Sequence, residues 1–336
     1  MFPSLLAPLR QGSCFGGAEM AALDLLEGLV ERQHRLWLIG VEGSFSAGAT
    51  VQVAPATPAF VPGQRVSLDR WRFPEILAAL PGDLDALHAH LNDPGALLAL
   101  DTYARAHPST RVISTLHLSA VFPATAEVVR SLLDAGSPVR FVAPSRFAAD
   151  SYGRPGQIAV IENGVDLTKI PYFEAPEPDR HLAFAGRRAP EKGFEAAVEI
   201  ARRAGRSLEV AALSPPETPP QPWVVERGRL ERAEVPAFLG RAAITLIPSS
   251  IAEAHPLVAL ESLAAGTPVV GFAVGGLPEI VDESSGILVP PGEVEAAAQA
   301  VALAERLSRA ACRARAEARF GRRSMIERYE RLYRGA

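Results

Sequence analysis

Lysine is nearly missing from this chain of 336 residues: only Lys169 and Lys192 stand among its 34 basic side chains. Cysteine is as scarce. Cys14 and Cys312 are the only two and lie far apart in sequence, which excludes a disulfide framework and suits reduced thiols in a cytoplasmic setting. No charge-free apolar run reaches the length of a bilayer span. The opening residues, MFPSLLAPLR, lack the charged start, long apolar stretch and cleavage site of a secretory signal. A basic excess is absent too. The net charge is −4, and residues 1–166 hold 12 arginines against 16 acidic residues, so a nucleic-acid partner is not expected. Close-spaced metal ligands such as C-x2-C or H-x3-H do not occur, so no metal centre is expected.

What is present is apolar: 48% of the residues, enough for full cores and, at this length, two domains. The most informative stretch runs from Ala243 to Gly276. Residues 243–248 form a short apolar run, read as a buried strand. Residues 249–256 are small, polar and bounded by Pro248 and Pro256, hence a loop. Leu257 to Ala265 is a helix, opened by Pro256 and closed by Gly266 and Pro268. A second apolar strand spans 268–273. Strand, loop, helix, strand is a βαβ unit, and open α/β sheets bind ligands at the carboxyl ends of such strands. Two carboxylates sit there: Glu253 in the loop and Glu261, eight positions on, in the helix. By themselves two glutamates are most simply surface charges.

Other segments repeat the pattern. Strands are expected at 36–41, 85–90, 111–116, 140–143 and 158–161, then at 181–185, 207–213 and 223–226. A helix is expected from Ala18 to about Arg32, entered from the Gly-rich loop Gln11 to Gly17, and another from Phe194 to Ala204. A Gly-rich loop running into a helix lets backbone N–H groups approach an anion. Arg187 can fork onto phosphate oxygens and Lys192 offers a point charge at a helix start. His88, His90 and His117 each fall at the carboxyl end of an expected strand. Residues 167–180, with Pro171, Pro176 and Pro178, read as a linker, and residues 214–222 as a stiff Pro-rich connector. The Arg-rich segment after Glu293 reads as helical, with its arginines on a solvated face.

P-S-x-x-x-E-x7-E-x4-G-T-P-V-V, residues 248–270, resembles the E-x7-E signature of the retaining glycosyltransferases of family 4, the group 1 glycosyl transferases. The likeness extends over nearly the whole chain. Gly16-Gly17-Ala18-Glu19 resembles the family's GGxE loop, Asp85 to His90 its D-x-x-H-x-H, Gly186 to Gly193 its G-R-x4-K-G, and Gly275 to Glu279 its GG-x-P-E. One departure is Ala254-His255-Pro256-Leu257, where several members carry Phe-Gly-Leu. Pro256 has no N–H, so one amide donor is missing.

The resemblance implies an α/β protein of GT-B type, with two Rossmann-like doubly wound domains facing across a cleft. The first domain would span 1–166, the second 181–322, and the last helix, 323–336, would cross back to the first. The implied activity is transfer of a sugar from a nucleotide sugar, UDP-linked or GDP-mannose, to an acceptor hydroxyl with retention and no metal cofactor. The acceptor would be a glycan, a lipid-linked sugar or a small molecule. Glu261 would hold the ribose, and Arg187 and Lys192 the diphosphate. Glu253 would hold the sugar hydroxyls. The amides of Leu257 and Val258, with Gly16 and Gly17, would face the phosphates, and Leu230 would lie near the base. His117 would line the reacting face, with His90 on the acceptor side. A nucleotide-sugar epimerase and a catalytically silent sugar-nucleotide-binding module are the alternatives on the same frame. Asp83-Leu84-Asp85 spells the D-x-D of metal-dependent transferases, but it stands before an expected strand, at the end remote from a ligand, and reads as a decoy.

Overall fold

The computed structural model describes residues 1, 16–40, 44–53, 73–212 and 221–335. Phe2 to Ala7, a run broken by Pro3 and Pro8 that could supply a weak first strand, lies outside them, as do most of the Gly-rich loop, Cys14 and most of the Pro-rich connector. The chain divides into two compact units, Met1–Asn163 with Arg322–Ala336, and Gly164–Gly321.

In the first unit, α1 (Gly17–Glu31) is followed by the parallel pair β1 (Leu36–Gly40) and β2 (Ala49–Val53). After α2 (Phe73–Ala78) come β3 (Ala86–Ala89), α3 (Pro94–Ala106), β4 (Arg111–Thr115), α4 (Pro123–Asp134), β5 (Arg140–Ala143), α5 (Arg146–Ser151) and β6 (Ala159–Val160). Strands β3 to β6 form one parallel sheet in chain order. Parallel neighbours need crossovers, and the intervening helices supply them. Helices α3 and α5 are capped by Asp93 and Ser145, whose side chains accept from Ala96 and Ala148 N–H groups at 2.8 and 3.1 Å.

The second unit holds β7 (Leu182–Gly186), α6 (Phe194–Ala204), β8 (Leu208–Ala212), β9 (Val224–Gly228), α7 (Val235–Arg241) and β10 (Ile244–Ile247). Then follow α8 (Leu257–Ala265), β11 (Val269–Phe272), α9 (Leu277–Ile280), β12 (Gly286–Val289), α10 (Val294–Ala304) and α11 (Arg309–Arg319). Its six strands are parallel in the order β12-β11-β10-β7-β8-β9. Numbered within the unit, that is the 3-2-1-4-5-6 order of a Rossmann sheet, whose order reverses between β7 and β10. β10 and β11 are buried throughout, as strands covered on both faces must be. Helix α8 occupies the expected residues because Pro256 opens it and Gly266, at φ +92°, closes it.

Residues 167–180 do not hang free as a linker. Ile170 is buried in the core of the second unit, with Leu167 and Phe173 packed against it. The backbone pairs as well, the N–H of Phe173 with the carbonyl of Ala265 at 3.0 Å. The final helix, α12 (Arg322–Arg334), belongs to the first unit. Its Ile326 lies against Gly28 of α1, where a Cβ would stand 2.0 Å from the Ile326 Cδ1.

The arginines of α11 correct the expectation of a solvated face. Arg309 is buried, and its guanidinium donates to the carbonyls of Phe173 (2.8 Å), Ala242 (3.0 Å) and Gly240 (2.6 Å) and to Thr267 Oγ1 (2.7 Å). Arg313 donates to the carbonyls of Ala264 at 2.7 Å and Ile170 at 3.0 Å, and Arg315 to that of Glu279 at 3.2 Å. The carbonyls of Gly240, Ala242, Ala264 and Glu279, at or just beyond the ends of α7, α8 and α9, have no partner within their own helix, and a planar five-donor fork satisfies several at once. Arg309→Met should therefore lower stability by about 3 kcal/mol or more, since several buried acceptors are left unpaired. Arg309→Lys should recover only part of it. Urea unfolding curves check both; an unchanged midpoint in Arg309→Met would remove Arg309 from the fold's supports.

Candidate functional site

The reversal of strand order places two loops side by side in the second unit: Arg187–Lys192 after β7, and Pro248–Pro256 after β10. They touch at Gly193. Its φ is +72°, and a Cβ there would stand 1.9 Å from the Pro248 carbonyl oxygen, so only glycine permits the approach. The N–H of Ser250 bonds the carbonyl of Glu191 at 3.0 Å. The result is direct contact between the two charged residues singled out in sequence: the Lys192 ammonium bonds Glu253 Oε2. Ser249 Oγ donates to Glu253 Oε1 at 2.6 Å. Both carboxylate oxygens of Glu253 are thus held.

A third loop closes on Glu253 from β11. Gly276 N–H donates to the Glu253 carbonyl at 2.8 Å, and a Cβ on Gly275 would stand 2.4 Å from that oxygen. Arg187, half exposed, pairs with Glu191 at 3.0 Å. Its neighbour Arg188 is buried instead, paired with Glu226 of β9 and stacked 4.4 Å over the Phe194 ring. Leu257 and Val258 open α8, and Glu261 follows one turn later, half-buried. Leu230 and Val258 pack on one apolar cluster that includes Ala183 and Phe238.

Sequence reasoning missed Ser249, though the P-S before Glu253 was its signal, and gave His255 no role. His255 is buried edge-on to Phe320, ring centroids 5.9 Å apart. Neither of its nitrogens has a partner among the described residues, and burial pulls it down to about 3.

In the first unit, the three strand-end histidines come together. His90 Nδ1 and His117 Nε2 are 2.8 Å apart, and the His88 and His90 ring centroids 4.2 Å apart. His88 Nε2 meets Thr115 Oγ1 at 2.8 Å and its Nδ1 meets Tyr333 Oη of α12 at 2.7 Å. Thr115 Oγ1 also meets Tyr329 Oη at 2.9 Å. His88 and His90 are buried, and His117 only half so. Gly16 and Gly17 are exposed at the start of α1. Asp83 and Asp85 stand exposed before β3, at the strand end opposite His90, and Asp83 pairs with Arg35 at 2.6 Å.

Among the described residues, Glu177, Asp179 and His181 have the spacing of metal ligands. They lie before β7, at the far end of that strand from Arg187. His181 Nδ1 bonds Asp179 at 3.0 Å. No helix among the described residues is long and apolar enough to cross a membrane.

Two family models match: Glycosyltransferase Family 4 over residues 15–169, and Glycosyl transferases group 1 over residues 226–319. The chain is 33% identical over 180 residues to glycogen synthase of Mycobacterium tuberculosis, a match covering 46% of the chain and 43% of that protein. It thus spans less than half the length of that relative. With D-inositol 3-phosphate glycosyltransferase 1 of Catenulispora acidiphila it shares 28% identity over 350 aligned residues, 85% of the chain and 82% of that protein. Among solved structures, sucrose-phosphate synthase of Thermosynechococcus elongatus aligns with a TM-score of 0.78 at 19% identity, covering 100% of the chain and 97% of that one. HepE of Anabaena, solved in complex with UDP-glucose, aligns with a TM-score of 0.72 at 16% identity, covering 97% and 98%. The fold is GT-B, built from two Rossmann-like units. The chain is related to glycosyltransferase family 4 and the group 1 glycosyl transferases.

Burial pulls His117 down to about 4 and lowers His88 and His90 well below the usual 6.5. The unfolded chain therefore takes up more protons than the folded one as pH falls from 6.5, and stability declines toward pH 4. Glu330 acts lower still. Bonds to Arg32 and His34 hold it at about 2, so its stabilising contribution is present above its usual 4.5 and is lost as pH falls toward 2. Melting temperatures measured from pH 7 to pH 4 should fall steadily. A flat profile would mean that the histidines are charged or solvated in the folded state.

Proposed function

We propose that the chain transfers a glycosyl group from a nucleotide sugar to an acceptor hydroxyl, with retention at the anomeric carbon. The observation that carries this reading is the Lys192–Glu253–Ser249 cluster at the strand-order reversal, where sheets of this kind bind nucleotides. The relatedness to family 4 supports it, and the UDP-glucose found in HepE favours a UDP-sugar donor, with GDP-mannose as the other candidate.

The roles follow from charge and position. Arg187 and Lys192 take the diphosphate, helped by the amides of Leu257 and Val258 at the start of α8. When the diphosphate draws Lys192 away, Glu253 is released to accept hydrogen bonds from sugar hydroxyls. Glu261 accepts from the ribose, and Leu230 packs near the base. The chemistry is then leaving-group stabilisation by fixed positive charge, commonly the main source of rate enhancement in such catalysis. We favour front-face attack assisted by the leaving phosphate, and no metal. In the first unit, His117 is the residue we assign to a sugar oxygen, and Gly16 and Gly17 lie exposed at a helix start that suits a phosphate. A cytoplasmic setting suits the free thiol of Cys312.

Glu261→Ala should weaken nucleotide binding about ten- to a hundredfold, the effect of losing one charged hydrogen-bond partner. Calorimetric titration with UDP and GDP tests it, and wild-type affinity in the variant would refute the ribose role. Lys192→Ala should depress turnover more than donor binding, because charge on the diphosphate grows toward the transition state. Lys192→Arg should restore only part, a planar fork being a poor copy of a compact ammonium. Steady-state rates with the donor that calorimetry selects decide it; full activity in Lys192→Ala would exclude Lys192 from the site.

A further inference from the structure

His90 has two ring nitrogens and one partner. Its Nδ1 meets His117 Nε2 at 2.8 Å, while its Nε2 is buried with no partner among the described residues. His117 makes no other hydrogen bond with a described residue, and its Nδ1 is not among the buried unpartnered atoms. The two rings are nearly parallel, 17° apart. His88 lies against the other side of the cluster, its ring tilted 31° to that of His90 and fixed by Tyr333 and Thr115. The pair is neutral, so it carries two ring protons in one of two arrangements. If His117 Nε2–H donates to His90, then His90 Nε2–H is a buried donor with nowhere to donate. If His90 Nδ1–H donates to His117, the buried orphan is only a bare ring nitrogen. Among buried backbone groups, orphaned N–H donors are rarer than under-satisfied acceptors, and the same preference favours the arrangement that leaves only a bare ring nitrogen. The tautomer of one ring nitrogen is set by the hydrogen bond that the other makes.

We propose that His90 is a positioning residue that fixes the tautomer of His117, so that His117 presents an N–H donor at Nδ1 and no lone pair. Whatever meets His117 there must be an acceptor, such as a hydroxyl or ring oxygen of a sugar. His117 then orients a ligand oxygen and cannot serve as the general base that deprotonates an acceptor hydroxyl. The functional half rests on the glycosyl-transfer reading above; the tautomer itself does not. It also gives His90 a place behind His117 and not against the acceptor.

The first test needs no substrate. Two-bond proton–nitrogen correlation spectra of the full chain, labelled with nitrogen-15 at pH 7, report each ring's tautomer, and His117→Asn identifies the His117 signals. The expected pattern is a neutral His117 protonated at Nδ1. A His117 protonated at Nε2, or at both nitrogens, overturns the proposal. The second test uses His90→Leu, in which His117 should populate both tautomers and kcat should fall about tenfold, the effect of one hydrogen bond, with donor KM little changed. His90→Asn can place an amide N–H where Nδ1 stood and should restore the Nδ1–H tautomer and most of the rate. Wild-type tautomer and wild-type kcat in His90→Leu, or no recovery in His90→Asn, would overturn it. If the chain turns over no nucleotide sugar at all, the transfer reading fails while the spectra still decide the tautomer.

Discussion

The ligand end of the second unit depends on one close approach, that of Gly193 to the carbonyl of Pro248. The backbone there takes a left-handed conformation with no room for a Cβ. Because of it, the loop after β7 lies directly on the loop after β10, and the ammonium of Lys192 reaches the carboxylate of Glu253. Gly275 does the same from the other side, leaving no room for a Cβ against the backbone of Glu253. Three loops from three parallel strands are thereby locked around one carboxylate. Neither a longer side chain at 193 nor one at 275 could keep that geometry, although neither glycine carries any chemistry. Lys192 and Glu253 match each other's charge in one ion pair. Under the proposed function a diphosphate would compete with Glu253 for Lys192, so that an anion and a set of sugar hydroxyls would answer the two halves of that pair.

Much of this was legible in the chain because its signals are local. Pro256, Gly266 and Pro268 punctuate a short helix without ambiguity, and α8 lies on the residues so read. Most of the other strands fall within one or two residues of expectation, since a run such as Leu-Ala-Phe-Ala-Gly suits only a strand buried on both faces. The pairing of Lys192 with Glu253 was less accessible: each residue stood out, but sixty-one positions separate them, and only the sheet order brings them together. Arg188 and His255 escaped because their partners, Glu226 and Phe320, are remote in sequence, whereas Ser249 was missed although Glu253 lies only four residues on. The histidines were placed at strand ends correctly, yet nothing in D-x-x-H-x-H says that His90 faces His117.

The arginines of α11 show where local reasoning fails in principle. A helix with arginine at 309, 313, 315 and 319 looks like a charged, wetted surface, and its neighbours do not contradict that. Their partners include backbone carbonyls, which leave no trace in sequence. Carbonyls beyond helix ends need donors that reach over some distance and bind at more than one angle. Guanidinium groups do both, and each fork ties segments that are far apart in the chain. Arg309 alone joins residues 173, 240, 242 and 267. The near-absence of lysine therefore has a structural counterpart in this unit, since an ammonium could not make the same set of bonds.

Cys312 sits in that same helix, fully buried, with its thiol pushed up to about 12 by the surrounding apolar core. A thiol so protonated and enclosed is inert to reagents from solution. It can react only in molecules whose α11 has lifted from α8 and the 167–173 segment. In a chain with Cys14 replaced, the rate of alkylation at Cys312 becomes a clock for that opening. It gives the second unit a native reporter of its own fluctuations.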